Sequence, residues 1–315
     1  VTNPVLVEVV RSGFVESVHR GALVITAPDG SVRFSAGDVE RPVYPRSSNK
    51  PLQAVAMLRA GLTIGDKELA LGCGSHNGEP AHVEGALSML ARTGLTEDAL
   101  ACPPAFPLHE PSMLAVAAAG KRRVAMNCSG KHAAMLSTCA QLGWPTTDYV
   151  AATHPLQKLI QATIADLTCE PIETVGVDGC GAPLFAFSLT GLARSFGRLV
   201  TAIGGAERRV ADAVRAHPWQ VAGTGREDTV LMRNVDGLLS KGGAEGVHSF
   251  ALPDGTALAL KIDDGAARAR LPLLLATLRH LGIDPGDEAE ELARNVVLGG
   301  GKPVGELRVA DGLFG

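Results

Sequence analysis

Between residues 5 and 34 apolar and polar positions alternate, the apolar set is rich in Val, and Pro28-Asp29-Gly30 separates Leu23-Val24-Ile25 from Val32-Arg33-Phe34. A period of two throws successive side chains to opposite faces, and Pro-Asp-Gly supplies a fixed φ, a side-chain acceptor and a residue free to take positive φ. This stretch predicts an antiparallel hairpin or meander. The signature returns near the other end of the chain, where segments 246–252 and 257–262 flank Pro253-Asp254-Gly255, and a second hairpin is expected there. Between the hairpins the apolar spacing lengthens to that of helices over residues 51–60, 81–91, 131–142, 155–167 and 207–216. A further helix is expected at 267–281, after the second hairpin.

Strands at both ends, with helices between and behind them, predict an α+β fold: a mainly antiparallel central sheet with helices on its faces. Gly37, Pro45 and residues 102–107 mark loops. No repeat, linker or low-complexity tract breaks the 315 residues, so a single domain over residues 1–315 is expected. With 46% hydrophobic and 20% charged residues the chain has ample material for a core, and disorder is excluded.

Charge narrows the partners. Against 29 Lys and Arg stand 33 Asp and Glu, a net charge of -4, and no basic run is present to follow a phosphate backbone, so nucleic acid is not expected. Residues 1–6 have no basic segment followed by an apolar core, and apolar stretches such as 271–275 are too short to span a bilayer. A cytoplasmic protein without membrane association is the expectation. The six cysteines (Cys73, Cys102, Cys128, Cys139, Cys169, Cys180) then read as thiols or metal ligands rather than a disulfide framework.

Six segments carry candidate chemistry. In Arg46-Ser47-Ser48-Asn49-Lys50-Pro51, Pro51 is tolerated only in a first helical turn, which sets Ser47 at a helix N-terminus. There a tetrahedral oxyanion meets the positive end of the helix dipole, and Lys50, three residues on, lies on the same face as a base. An ordinary N-cap serine followed by a solvated lysine has the same spacing. Gly74-Ser75-His76-Asn77-Gly78-Glu79 is a polar loop between helical patterns, fit to hydrogen-bond an amide or simply to cap a helix. Asn127-Cys128-Ser129-Gly130-Lys131-His132 opens a helix, and Asp178-Gly179-Cys180-Gly181 forms a second tight turn with a thiol. The two cysteines can share a metal only if the fold brings them together; otherwise they are buried apolar groups. Finally, Leu239-Ser240-Lys241-Gly242-Gly243 sets a lysine between an apolar segment and a glycine turn. Gly223-Thr224-Gly225-Arg226 ahead of it offers Arg226 and helix-terminal amides to a carboxylate, or merely caps the helix that follows.

Taken in order, Arg46-Ser47-x-x-Lys50-Pro51, Gly74-Ser75-His76, Asn127-Cys128-Ser129-Gly130-Lys131-His132, Asp178-Gly179-Cys180 and Lys241-Gly-Gly resemble the Rhizobium-type (class 3) L-asparaginases along nearly the whole chain. That resemblance implies a serine β-lactamase or penicillin-binding-protein-like fold, a homodimer, and hydrolysis of L-asparagine to L-aspartate and ammonia. It implies two Ser-Lys tandems, Ser47 with Lys50 and Ser75 with Lys241, as catalytic residues. It also implies a zinc site of Cys128, Lys131 and Cys180, with Asp178 close to the substrate; Arg46, His76 and Arg226 complete the candidate substrate contacts. Two other functions share parts of the pattern: a β-lactam or peptide hydrolase using Ser-x-x-Lys, and a zinc-containing homologue that binds an amino acid without turnover.

Overall fold

A computed structural model describes residues 2–294 and 296–314. The N-terminal alternation folds as strands β1 (Val5–Arg11), β2 (Phe14–Thr26) and β3 (Val32–Ala36). A short pair, β4 (Val175–Val177) and β5 (Pro183–Phe185), stands apart from the main sheet. Strands β6 (Leu239–Gly242), β7 (Val247–Ala251) and β8 (Ala257–Ile262) form the second antiparallel unit, and β9 (Val296–Gly299) with β10 (Lys302–Val309) form a hairpin near the C-terminus. The main sheet runs β6-β7-β8-β2-β1-β10-β9, with β3 also paired to β2, and each of its pairings is antiparallel. The fold class is therefore α+β as expected.

Both anticipated Pro-Asp-Gly turns form by the same device. Asp29 Oδ1 accepts Ser31 N at 2.9 Å and Asp254 Oδ1 accepts Thr256 N at 2.8 Å, so in each turn a side chain two residues upstream replaces the missing ladder bond. These turns set the registers Ile25↔Phe34 and Ala251↔Ala257. The long β2 then joins the ends of the chain, pairing β1 through its first half and β8 through its second.

Alternation also explains how one sheet carries two cores. On β2, Ala22 and Val24 join one apolar cluster and Leu23 and Ile25 the other; on β8, Ala257 and Ala259 face the first while Leu258, Leu260 and Ile262 face the second. The small alanines let helix Leu189–Thr201 lie close to the sheet, so that an ideal Cβ at Gly197 falls 4.0 Å from Ala257 Cβ. The leucine face receives helix Arg270–His280 through Leu271, Leu273, Leu274, Leu275 and Leu278. Each fully buried large side chain contributes about 1.5–3 kcal/mol, and strands β6 to β8 are buried on both faces along nearly their whole length.

The predicted helices form as Lys50–Ala60, Pro80–Ala91, Ser129–Gln141, Pro155–Thr168, Gly205–Ala216 and Arg270–His280, the last entered through a 3-10 turn at Ala267–Ala269. The helix after Gly223-Thr224-Gly225-Arg226 forms at Glu227–Asn234, whereas helices Asp66–Gly72, Glu110–Val116, Leu189–Thr201, Pro218–Val221 and Asp287–Ala293 were not anticipated. The longest of these had a legible signal: Ser188 caps Gly191 N at 2.8 Å, and Leu189, Leu192, Ala193, Phe196, Leu199 and Val200 recur at helical spacing. No described helix is long and apolar enough to cross a membrane. All six cysteines are free thiols.

Candidate active site

The site forms where the start of helix Lys50–Ala60, the loop after helix Asp66–Gly72, the start of helix Ser129–Gln141, the turn after β4 and strand β6 come together. Loop 74–78 is pinned on both sides: Ser75 N donates to Val221 O and Asn77 N to Ala222 O, each at 2.8 Å, and His76 N to Asn127 O at 3.1 Å. Helix Ser129–Gln141 begins close beneath it, because Gly130 brings its backbone against Leu71, where an added Cβ would stand 2.6 Å from the carbonyl oxygen. On the other side Gly243 lets the end of β6 meet the serine segment, since a Cβ there would stand 2.6 Å from Pro45 O and 3.0 Å from Ser48 Oγ.

Ser47 lies in a 3-10 turn, Arg46–Asn49, that runs directly into helix Lys50–Ala60, with Pro51 in the first turn as its chemistry requires. Arg46 takes positive φ (53°), a conformation that costs a non-glycine residue roughly 1 kcal/mol or more. Its guanidinium offsets that strain by donating to Asp178 Oδ1 at 2.8 Å. Asp178 is fixed in turn by Gly179 N at 2.9 Å and by its own tight turn, in which Gly181 N donates to Asp178 O at 2.8 Å. A cavity of about 680 Å³ opens beside Arg46, walled by Tyr44, Val177, Glu245, Lys261 and Asp263 among others.

Lys50 is 1% exposed, and its amine donates to Gly74 O (2.5 Å), Ser75 Oγ (3.0 Å) and Cys128 Sγ (3.2 Å). The lysine that the spacing set beside Ser47 is thus hydrogen-bonded to Ser75, 25 residues away, and Ser47 has no side-chain hydrogen bond among the described residues. Around this pair Ser48 Oγ, Asn49 Nδ2 and Gln53 Oε1 are buried without hydrogen-bond partners, an unusual concentration of unmet capacity.

Lys241, also 1% exposed, donates to Asp228 Oδ2 at 3.3 Å and to Gly242 O at 2.6 Å rather than to Ser75. Burial lowers its pKa to about 8; the nearby Lys50 and Arg226 charges act in the same sense and Asp228 opposes them. Arg226 reaches the same region from the N-terminus of helix Glu227–Asn234, donating to Asn77 Oδ1 at 3.0 Å. His76 is wholly buried: Nδ1 accepts Gly78 N at 3.1 Å, so Nε2 carries the proton and donates to Ser129 Oγ at 3.0 Å. Burial holds this imidazole neutral, its pKa well below the usual value, and with both nitrogens engaged it braces the loop from within. Asp228 and its partners Ser240 and His248 escaped the sequence reading, because an acidic residue in a first helical turn is an ordinary partner of the helix dipole.

The two cysteine turns do meet. Lys131 Nζ lies 3.0 Å from Cys180 Sγ, and Cys180 Sγ lies 3.6 Å from Asp178 Oδ2. A hydrogen bond from Cys128 lowers the Cys180 pKa strongly against the opposing effect of burial, with Lys131 and His132 assisting; the same contact, together with burial, pushes Cys128 well up. Burial disfavours the Lys131 cation, yet the two sulfurs outweigh burial and raise its pKa. His132 accepts from Tyr149 Oη at 2.7 Å through Nδ1, while its Nε2 is buried without a hydrogen-bond partner of ordinary geometry beside the Cys180 sulfur. Two sulfurs and an amine in contact form a donor set that fits zinc, which favours S and N ligands. Among the described residues no three His, Cys, Asp or Glu side chains are arranged to hold a metal, so this set depends on Lys131 as its third donor.

Similar solved structures include a β-lactamase from Mycobacterium bovis, 18% identical over 82% of this chain and 94% of that one (TM-score 0.43). A Bacillus glutaminase is 12% identical over 84% of this chain and 91% of that one (TM-score 0.38). These overlaps are partial. A search of curated proteins finds no match. The family model for L-asparaginase II matches residues 7–309 and takes in each of the segments described here, in agreement with the order of their motifs; the chain belongs to the L-asparaginase II family.

Proposed function

We propose that this protein hydrolyses the side-chain amide of L-asparagine, releasing L-aspartate and ammonia, through a serine ester formed on Ser47. The observation that carries this reading is the buried contact of 3.0 Å between Lys50 Nζ and Ser75 Oγ beside the Ser47 turn, in a member of the L-asparaginase II family. Ser47 Oγ attacks the amide carbon, and Lys50 takes its proton and passes it through Ser75, to which it is hydrogen-bonded, to the amide nitrogen as the C–N bond breaks and ammonia leaves. Water then attacks the ester, releases aspartate and restores the serine. Lys241 and Ser75 share the proton traffic. The Ser47 segment opens the helix Lys50–Ala60, whose dipole stabilises the oxyanion.

Arg46, Arg226 and Asp178 are suited to the α-carboxylate and α-amine of the substrate, with entry from the cavity beside Arg46. Cys128, Lys131 and Cys180 would hold zinc, with Lys131 neutral when it ligates, because a protonated amine has no lone pair to give. A bound zinc would supply a Lewis acid for substrate oxygen and a brace between the two turns. A homodimer is part of the same reading.

Ammonia release across asparagine, glutamine and aspartyl peptides tests the substrate, and mass spectrometry of the protein quenched during turnover tests the nucleophile. Ser47→Ala is expected to carry no acyl adduct and Ser75→Ala to acylate slowly. An adduct on the Ser47→Ala protein would overturn the assignment.

A further inference from the structure

Strand β6 is tied to helix Glu227–Asn234 through one carboxylate. Asp228 Oδ1 accepts Ser240 Oγ at 3.0 Å and Gly242 N at 2.8 Å, and Oδ2 faces Lys241 Nζ at 3.3 Å, so three consecutive residues of β6 converge on it. Both charged side chains are almost wholly inside, 1% and 3% exposed. Behind the carboxylate, His248 Nε2 lies 3.3 Å from Asp228 Oδ1 and 2.9 Å from Ser240 Oγ, and His248 Nδ1 lies 3.6 Å from Glu227 Oε1. Glu227 is ion-paired with Arg270, whose guanidinium also donates to the carbonyls of Gly243 and Val247. Polar and charged groups thus line the way from the Lys241 amine to Arg270 on the helix of the second core, joined by hydrogen bonds or ion pairs except between His248 and Glu227, where the 3.6 Å separation is too long for a hydrogen bond.

The geometry points to Asp228 as the positioning residue of Lys241: it holds the amine against β6 and sets the pH at which that amine gives up its proton, while His248, Glu227 and Arg270 hold the carboxylate in place. An isolated buried carboxylate would tend to take up a proton, and a network of this density keeps it ionised. Burial alone would raise the Asp228 pKa, but Lys241, His248, the Gly242 amide and Arg226 outweigh it and hold Asp228 far below the usual range.

The charges acting on Lys241 come from Asp228 in helix Glu227–Asn234, from Arg226 just before it, and from Lys50 in helix Lys50–Ala60; Cys73 and His248 lie in the same neighbourhood. Of these Asp228 is the one that favours the charged amine. Its removal therefore moves the Lys241 proton in one direction only, toward release at lower pH.

The inference rests on Lys241 taking part in proton transfer, and direct titration of the amine by lysine-selective NMR, with Lys241→Arg to assign the signal, separates it from the catalytic reading. Asp228→Asn is expected to lower the Lys241 midpoint by about a unit or more and to move the rising limb of the kcat profile the same way. A folded Asp228→Asn protein with an unchanged midpoint overturns the inference. If that variant does not fold, Asp228→Glu decides: the retained charge should keep the midpoint near its wild-type value while kcat drops about tenfold as the displaced carboxylate misplaces the amine. Wild-type kcat, or a midpoint that falls, would overturn it. If wild-type protein releases no ammonia, the function is wrong, yet the midpoints still report whether Asp228 governs Lys241.

Discussion

Lys50 shows how one side chain acquires a role from surroundings that its own neighbours in sequence do not supply. A lysine three residues after a serine is common and usually solvated; this one is withdrawn from water and shared among a carbonyl, a hydroxyl and a thiol. Replacing it by methionine keeps most of its volume and removes the amine, so Lys50→Met is expected to stay folded and lose about 10²–10⁴-fold in kcat. Circular dichroism alongside ammonia release checks both halves, and an active Lys50→Met protein would remove the serine-lysine mechanism.

Proton transfer by Lys241, as proposed above, predicts a pH dependence. Its folded pKa of about 8 lies below the ordinary lysine value of 10.5, so the neutral form gains population as pH rises through 8, and the rate should climb over the same interval. Metal content measured on the same samples separates a titrating base from acid loss of a ligand, since protonation of a ligand releases the ion. Full activity near pH 5 would point instead to carboxylate chemistry.

Among the elements that build the site, the end of β6 is closely confined. Its terminal Gly242-Gly243 passes between Glu227 and His248 on one side and the Pro45–Ser48 backbone on the other, and a side chain at Gly243 would meet a carbonyl oxygen at 2.6 Å. That oxygen belongs to backbone, so no flexible side chain can yield. Gly243→Ala is expected to cost about 1–3 kcal/mol in urea denaturation and to lower kcat more than Gly94→Ala, which meets open space but takes the strain of a positive φ without touching the site. Equal activity in the two variants would show that the close packing of β6 against the serine turn is dispensable.

At the scale of the whole molecule, the second hairpin and the C-terminal strands close the sheet around the N-terminal meander, and β2 connects both halves. The cysteine pair acts at the same scale, joining a turn at residue 128 to a turn at residue 180. Zinc bound by Cys128, Lys131 and Cys180 should therefore be lost from Cys128→Ala and Cys180→Ala proteins, and chelation should lower the melting temperature of the wild type alone. Elemental analysis and thermal melts read these outcomes, and metal retained at the wild-type ratio in both variants excludes the site. Analytical ultracentrifugation tests the dimer.

What the chain encodes locally could be read directly from it. Pro-Asp-Gly turns, the two alternating hairpins, the helix forced to begin at Pro51 and the helical periods of six segments all depend on residues within a few positions of one another. The candidate groups were legible too, since Ser47, Lys50, Ser75, Cys128, Cys180 and Lys241 stand in segments whose order along the chain marks the family. The helix Leu189–Thr201 was equally legible in its spacing, whereas the hairpin of β9 and β10 offered only a glycine turn between short apolar runs. Tertiary structure alone decided the partners: Lys50 with Ser75 across 25 residues, Lys131 with Cys180 across 49, Arg46 with Asp178 across 132. Local sequence sets which face of an element a side chain occupies, but it carries no record of which other element packs there. That choice follows from burying two apolar faces of one sheet at once, and the same packing withdraws Lys50 and Lys241 from water and fixes the partners of their amines.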